Sequence, residues 1–86
     1  MTILLMSEAD AAEFIVRNIR REVEKIIVEM NPNGSYVGDA EFDPEVGDLD
    51  LSSAAAAITA GANALGAGKS KIEISKANGK YTVVAT

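Results

Sequence analysis

Apolar residues recur at Ala12, Val16, Ile19, Val23, Ile26 and Met30, alternating spacings of four and three, with Ile15 and Ile27 widening the stripe. That period is one face of an α-helix. Arg17, Arg20, Arg21, Glu24 and Lys25 fill the other side. Ser7 offers a hydroxyl to the first exposed backbone N–H groups, and Asp10 stands three residues on, a variant of the capping box. Glu8, Asp10 and Glu13 put negative charge at the positive end of the helix dipole. Pro32 ends the run, because the residue before a proline is pushed out of the α region. The pattern predicts a long N-terminal amphipathic helix reaching Met30, about 36 Å at 1.5 Å per residue. The same spacing is a heptad. Such a helix lies along its own sheet or meets a second copy, and Val16, Ile19, Val23 and Ile26 are the self-association candidates.

Ahead of that helix, Thr2 to Met6 reads as a short apolar strand or an ordered lead-in. After it, Asn31-Pro32-Asn33-Gly34 is turn chemistry. Tyr36, Gly38, Ala40 and Phe42 then alternate with Val37, Asp39, Glu41 and Asp43, the period-two pattern of a half-buried strand. Tyr36 and Phe42 are assigned to the core. Asp50, Ser52 or Ser53 can cap a second, short helix through Ala54–Ala57, Ile58, Ala62 and Leu65, stopped by Gly66 and Gly68. Its alanines give a slim face that lets another backbone approach. Asn78-Gly79 suits a two-residue type I′ hairpin loop. That loop sets Ala77 opposite Lys80, Lys76 opposite Tyr81, Ile74 opposite Val83 and Ile72 opposite Ala85, with the apolar pairs on one face. Residues 1–86 therefore read as a single two-layer α+β domain in the order (β)-α-β-α-β-β, both helices on one face of a small sheet ending in a C-terminal hairpin.

Composition narrows the chemistry. The chain has 86 residues, 48% of them apolar, and no Cys, His or Trp. Disulfides, Cys/His zinc sites and every catalytic scheme built on imidazole or thiolate are excluded. A chain this short buries only about 60% of the surface it exposes when unfolded, so close packing or a second copy must supply stability. The apolar run Ile3 to Met6 is too short for a signal peptide or spanning helix. A cytoplasmic protein without a membrane partner is the expectation.

Charge is unevenly placed. Residues 1–38 hold six acids and four bases, residues 39–50 six acids and no base, and residues 51–86 four lysines and Glu73. The formal net charge of -5 argues against direct nucleic-acid binding, which needs Lys and Arg to displace counterions.

Three motifs invite catalytic or metal chemistry and fall short of it. Gly68-Lys69-Ser70 resembles the end of a phosphate loop, but Asn63 stands where the first glycine belongs, and the segment follows a helix and opens a strand, the reverse of what that loop requires. Asp48-Leu49-Asp50-Leu51-Ser52 matches the start of a calcium loop, yet Ser53 replaces its glycine and Thr59 its bidentate glutamate. Weak calcium binding by the oxygen-rich 39–52 stretch is all that survives. Asp39, Glu41 and Asp43 sit about 6.8 Å apart along one strand face, at twice the strand rise. They share one wet environment, unlike a general acid and base whose surroundings drive their pKa values apart. No cofactor, metal site or catalytic residue is assigned.

What remains is the acidic stretch itself. Asp39, Glu41, Asp43, Glu45, Asp48 and Asp50 are the candidate partner-binding residues, because crowded like charges cost the free fold something unless a positive surface meets them. The expected function is a non-enzymatic acidic protein-binding module that docks a basic surface of a larger partner, such as a nucleic-acid-binding protein; its sharpest form is an inhibitor that mimics nucleic acid. In size and charge the chain is similar to the small acidic inhibitors that phages make against host nucleases. The alternative is a structural or accessory subunit of a homo- or hetero-oligomer that associates through its helices.

Overall fold

The computed structural model describes residues 2–86. In chain order the elements are β1 (Thr2–Leu5), α1 (Glu8–Asn18), β2 (Val23–Met30), β3 (Tyr36–Phe42), α2 (Leu51–Gly66), β4 (Lys71–Ala77) and β5 (Lys80–Ala85). The strands form one antiparallel sheet in the order β1-β3-β2-β4-β5. The α+β class and the succession of strands and helices agree with the sequence reading, with one strand more than it contained. Residues 23–30 form β2, so the helix begun at Ser7 runs only to Asn18.

The N-terminal half of that helix is built as its sequence directs. Ser7 Oγ accepts the Asp10 N–H at 3.1 Å. Ala11, Phe14 and Ile15 are buried, and Arg17 pairs with Glu13 one turn back. It ends because Asn18 turns its side-chain amide onto Phe14 O at 2.8 Å and Ile19 adopts extended backbone. Local side-chain bonds of this kind compete with helical ones. Beyond lies Val23-Glu24-Lys25-Ile26-Ile27-Val28, rich in the β-branched residues that suit a pleated surface. Asn31–Gly34 then acts as a hairpin turn joining β2 to β3 rather than as a helix stop. Gly34 N–H donates to Asn31 O at 3.0 Å, with Gly34 at φ 87°.

In register, Ile26 lies between Ala40 and Ile74, and Val28 between Gly38 and Ile72. These residues line the face that the helices cover, with Ile26, Val28, Ile72 and Ile74 all at 1% exposure or less. Gly38 is needed there, since a Cβ on it would stand 2.8 Å from the Phe14 ring and 2.9 Å from Leu5. α1 and α2 meet at Gly61, where an added Cβ would lie 3.1 Å from Ile15 Cδ1. The slim face of α2 is Ala54, Ala57, Gly61 and Ala64, all buried.

The other end signals act as written in the sequence. Asp50 caps α2, its carboxylate accepting Ser53 N–H at 3.0 Å. At the far end Gly68, at φ 76°, lets its N–H reach Leu65 O at 3.1 Å and the Lys69 N–H reach Ala64 O at 3.1 Å, a Schellman motif. The Gly68-Lys69-Ser70 segment is therefore the close of a helix. Asn78 and Gly79, at φ 55° and 76°, form the expected hairpin turn, and every expected β4–β5 pair is present.

Candidate functional site

Of the six acidic candidates, Asp43 and Asp50 are occupied in holding the fold. Asp43 leaves the open face just past β3. Its Oδ2 lies 3.2 Å from Lys76 Nζ, with both side chains largely buried, and its Oδ1 accepts the Glu45 N–H at 2.8 Å. Lys76 also donates to Arg21 O and lies 5.8 Å from the centre of the Tyr81 ring. Asp50 is the α2 cap, and its own N–H donates to Gly79 O at 2.9 Å, tying the 43–50 loop to the β4–β5 turn. The expectation that Asp39, Glu41 and Asp43 form one exposed row is thus corrected: Lys76, on β4, the next strand in the chain, neutralises the third.

Asp39 and Glu41 do lie on the open sheet face, in register with Ile27 and Lys25 respectively. Lys25 pairs with Glu73 at 3.1 Å, which holds the lysine's pKa above its ordinary value, with Glu41 adding to the effect. Glu41, Glu45 and Asp48 are exposed, and among the described residues none of the three is in an ion pair. A hollow of about 350 Å³ lies beside this loop, lined by Asp43, Glu45, Gly47, Asp48, Lys76, Asn78 and Gly79. Among the described residues, no group of three or more acidic side chains is placed to hold a metal ion.

These bonds set a pH dependence. The Glu45 N–H first, and then Lys76, hold the Asp43 carboxyl below the usual range; the Ser53 N–H and then the Ser52 hydroxyl do so for Asp50. The unfolded chain therefore takes up these protons first as pH falls. The stability they confer is complete above the ordinary carboxyl pKa of about 4 and is lost as pH falls through the lower folded values. Lys25 has the opposite sign: its contribution is present below about pH 10.4 and lost as pH rises through its raised value. Urea midpoints measured from pH 6 to pH 3 should fall less in Asp43→Asn/Asp50→Asn than in the parent.

The helical self-association set is also corrected. Ile19, Val23 and Ile26 are core residues at 8%, 0% and 0% exposure, and only Val16, at 50%, faces outward. Ile19 lies past the end of α1, and Val23 and Ile26 are inward-facing residues of β2, so burial in the core removes these three from an intermolecular helix contact.

The structure reveals instead a surface that the sequence reading passed over. Ile3, Leu4, Met6 and Phe42 are 41%, 61%, 68% and 70% exposed; the first two lie on the edge strand β1, Met6 just past it and Phe42 at the end of the neighbouring β3. Tyr36 is buried as expected, whereas Phe42 is not: no strand or helix covers the last residue of β3. A groove of about 610 Å³ runs here between α1 and the edge of the sheet, with Ile3, Leu5, Phe14 and Phe42 on its walls and Asp10, Glu13, Arg17 and Arg20 around it. The sequence signal was the unbroken apolar run Ile3–Met6. Nothing in the sequence, however, gave the strand order that leaves it at an edge.

The two edges differ. Met30 N–H donates to Ser70 O and Asn31 N–H to Ser35 O, which fixes the ladder's alternation. Even-numbered residues of β2 then bond to β4 and odd ones to β3, and Ile3 and Leu5 of β1 bond to β3. The N–H and C=O of Thr2 and Leu4 point away from the sheet, and among the described residues they have no partner. On β5 the outward groups of Tyr81 are taken by Ser53, whose hydroxyl accepts the Tyr81 N–H at 2.8 Å and donates to Tyr81 O at 3.3 Å. The β5 edge is closed by a side chain at Tyr81, with the backbone groups of Val83 and Ala85 also facing outward; the β1 edge, among the described residues, has no such closure and is apolar.

Comparisons of the chain with family models, with curated proteins and with solved structures find no match. Among the described residues no helix is long and apolar enough to cross a membrane.

Proposed function

We propose that this protein is a non-enzymatic binding module that engages another polypeptide chain through the β1 end of its sheet. The observation that carries this reading is the coincidence, at one edge, of exposed apolar side chains with unused backbone hydrogen-bonding groups. An edge of this kind is a template for a further strand, and proteins that do not use one blunt it with a short strand, charge, proline or a cover; β1, at four residues, is short. β1 has neither charge nor proline. On the helix side, Ile3 and Phe42 also line the groove beside α1, and exposed apolar surface of this kind marks interaction sites.

A second reading keeps the acidic loop. Asp43–Lys76 and Asp50–Gly79 hold the 43–50 segment in place while Glu41, Glu45 and Asp48 remain exposed, so little ordering entropy opposes its docking on a basic surface. The partner would be a larger, basic protein, such as one that binds nucleic acid. This reading stops short of nucleic-acid mimicry, since the carboxylate row it needs is broken at Asp43.

One capture experiment separates the two. Tagged wild type, Leu4→Lys/Phe42→Ser and Glu41→Gln/Glu45→Gln/Asp48→Asn are each exposed to a cell lysate that also contains an untagged copy of this chain, then eluted in salt steps. The expected result is a chain captured by wild type and the acid-neutralised variant, resistant to salt, and lost from the Leu4/Phe42 variant. Loss from the acid-neutralised variant alone, with elution by salt, would transfer the function to the acidic loop. Equal capture by all three, or none by wild type, would overturn both.

A further inference from the structure

We infer that the occupant of the β1 edge is a second copy of this chain, paired antiparallel through β1 to make one continuous ten-stranded sheet. This rests on the reading of the β1 end as the contact surface and goes beyond it by naming the partner and the register.

The argument starts from strand parity. Two copies related by a two-fold axis normal to the sheet keep their helices on the same side. Residue i can then face residue j only if both project to the same face. Ile3 and Leu5 project to the helix side, and Thr2 and Leu4 to the open side, as their partners Gly38, Tyr36, Asp39 and Val37 require. An axis through Leu4 satisfies this condition. It sets Leu4 against Leu4 of the second copy, Ile3 against Leu5, and Thr2 against Met6. It also joins the outward N–H and C=O of Leu4 to those of its counterpart, a reciprocal hydrogen-bonded pair. Apolar meets apolar at each central position.

Charge is self-complementary under the same axis. The groove wall formed by α1 carries Asp10 and Glu13 toward the helix's N-terminal end and Arg17 toward its C-terminal end. The two-fold reverses that order on the facing copy and places the acids of each helix opposite Arg17 of the other. α1 packs across β1, β3 and β2 and is centred on β3. The two α1 axes would therefore stand about 14 Å apart, three strand spacings of about 4.8 Å. That is wider than the 8–10 Å of directly packed helices and leaves room for long charged side chains, with Ile3, Phe14 and Phe42 flooring the space between. The β5 edge is partly occupied, because Ser53 takes its outward groups at Tyr81 and leaves only those of Val83 and Ala85.

The test is light scattering after size exclusion over a dilution series of the purified full chain, with circular dichroism as a check on folding. Wild type should pass from a mass of 9.0 kDa to twice that value as concentration rises. Leu4→Lys should weaken the association at least tenfold, and Val84→Lys at the opposite edge should leave it unchanged. Asp10→Arg should weaken it, and Asp10→Arg/Arg17→Asp should restore it, an exchange that a purely local role for either residue would not produce. Wild type that stays monomeric into the millimolar range, or that dimerises with Leu4→Lys unaffected, would overturn the inference. A monomeric wild type that still captures a different chain from lysate through Leu4 and Phe42 would leave the β1 reading standing. A monomer whose capture ignores both residues would remove that reading too.

Discussion

Ile26→Ala is expected to lower stability by about 3–5 kcal/mol, at the upper end of the range for large-to-small core substitutions. Ile26 has no solvent exposure and sits on the central strand, flanked in register by Ala40 and Ile74 on the helix-covered face. Its strand neighbours hold the site open when the side chain is cut back, so the lost transfer energy is joined by a cavity cost. A chain of this length has a total stability of about 4–13 kcal/mol at the usual value per residue. The variant is therefore expected to lose a large share of its folding free energy. Ile27→Ala, one residue on, should cost only about 1 kcal/mol, because Ile27 projects to the open face beside Asp39 and Glu73. Urea denaturation of the pair tests the strand directly. On a helix, neighbouring Ile26 and Ile27 would share one apolar stripe and their costs would be similar.

Gly79→Ala is expected to cost about 2–4 kcal/mol. Its φ of 76° lies in the left-handed region, where a side chain costs about 1–2 kcal/mol. A Cβ there would also stand 2.5 Å from Asp48 O, a backbone atom that no rotamer change can move aside. The 43–50 loop would have to lift away, losing the Asp50 N–H to Gly79 O bond, worth about 0.5–1.5 kcal/mol. Two signatures should accompany the lower urea midpoint: faster exchange of the Asp50 amide and loosened Glu45–Asp48 backbone. Gly34→Ala makes the matched control. Its φ of 87° imposes similar backbone strain, but an added Cβ there meets nothing within 4 Å, so its cost should be smaller.

The contrast between residues 7–18 and 19–30 shows what the sequence made legible. Ser7, Asp10 and the apolar positions up to Ile15 carry a helix signal that no other element would share. From Ile19 onward the four-three spacing persists, but Val23, Ile26, Val28 and Met30 also fit a strand with one irregularity, which the register break between Val23 and Lys25 supplies. Periodicity alone could not separate the two. The β-branched content of 23–28 and the turn at Asn31–Gly34 favoured the strand, and both are local signals that a long apolar stripe outweighed. The C-terminal hairpin was legible in full because its turn chemistry and its alternation were independent and agreed.

The site was less legible for a related reason. That Asp43 is tied to Lys76 depends on β3 and β4 lying on either side of β2, a long-range arrangement with no local trace. The same holds for the bare edge. Ile3-Leu4-Leu5-Met6 looks alike in sequence whether it lies at the centre of a sheet or at its rim, and only the order β1-β3-β2-β4-β5 decides it. Acidic residues drew attention by composition, while the surface with unused bonding capacity became visible only once the strands were placed.

The most direct measurement of the central claim is hydrogen exchange at two outward-facing amides, Leu4 on β1 and Val83 on β5, in the free and the assembled protein. The expected result is that the Leu4 amide exchanges freely in the dilute chain and slows at least tenfold on assembly, while Val83 is unchanged. A Leu4 amide equally open in both states, with protection arising at Val83 or along the helices instead, would contradict it.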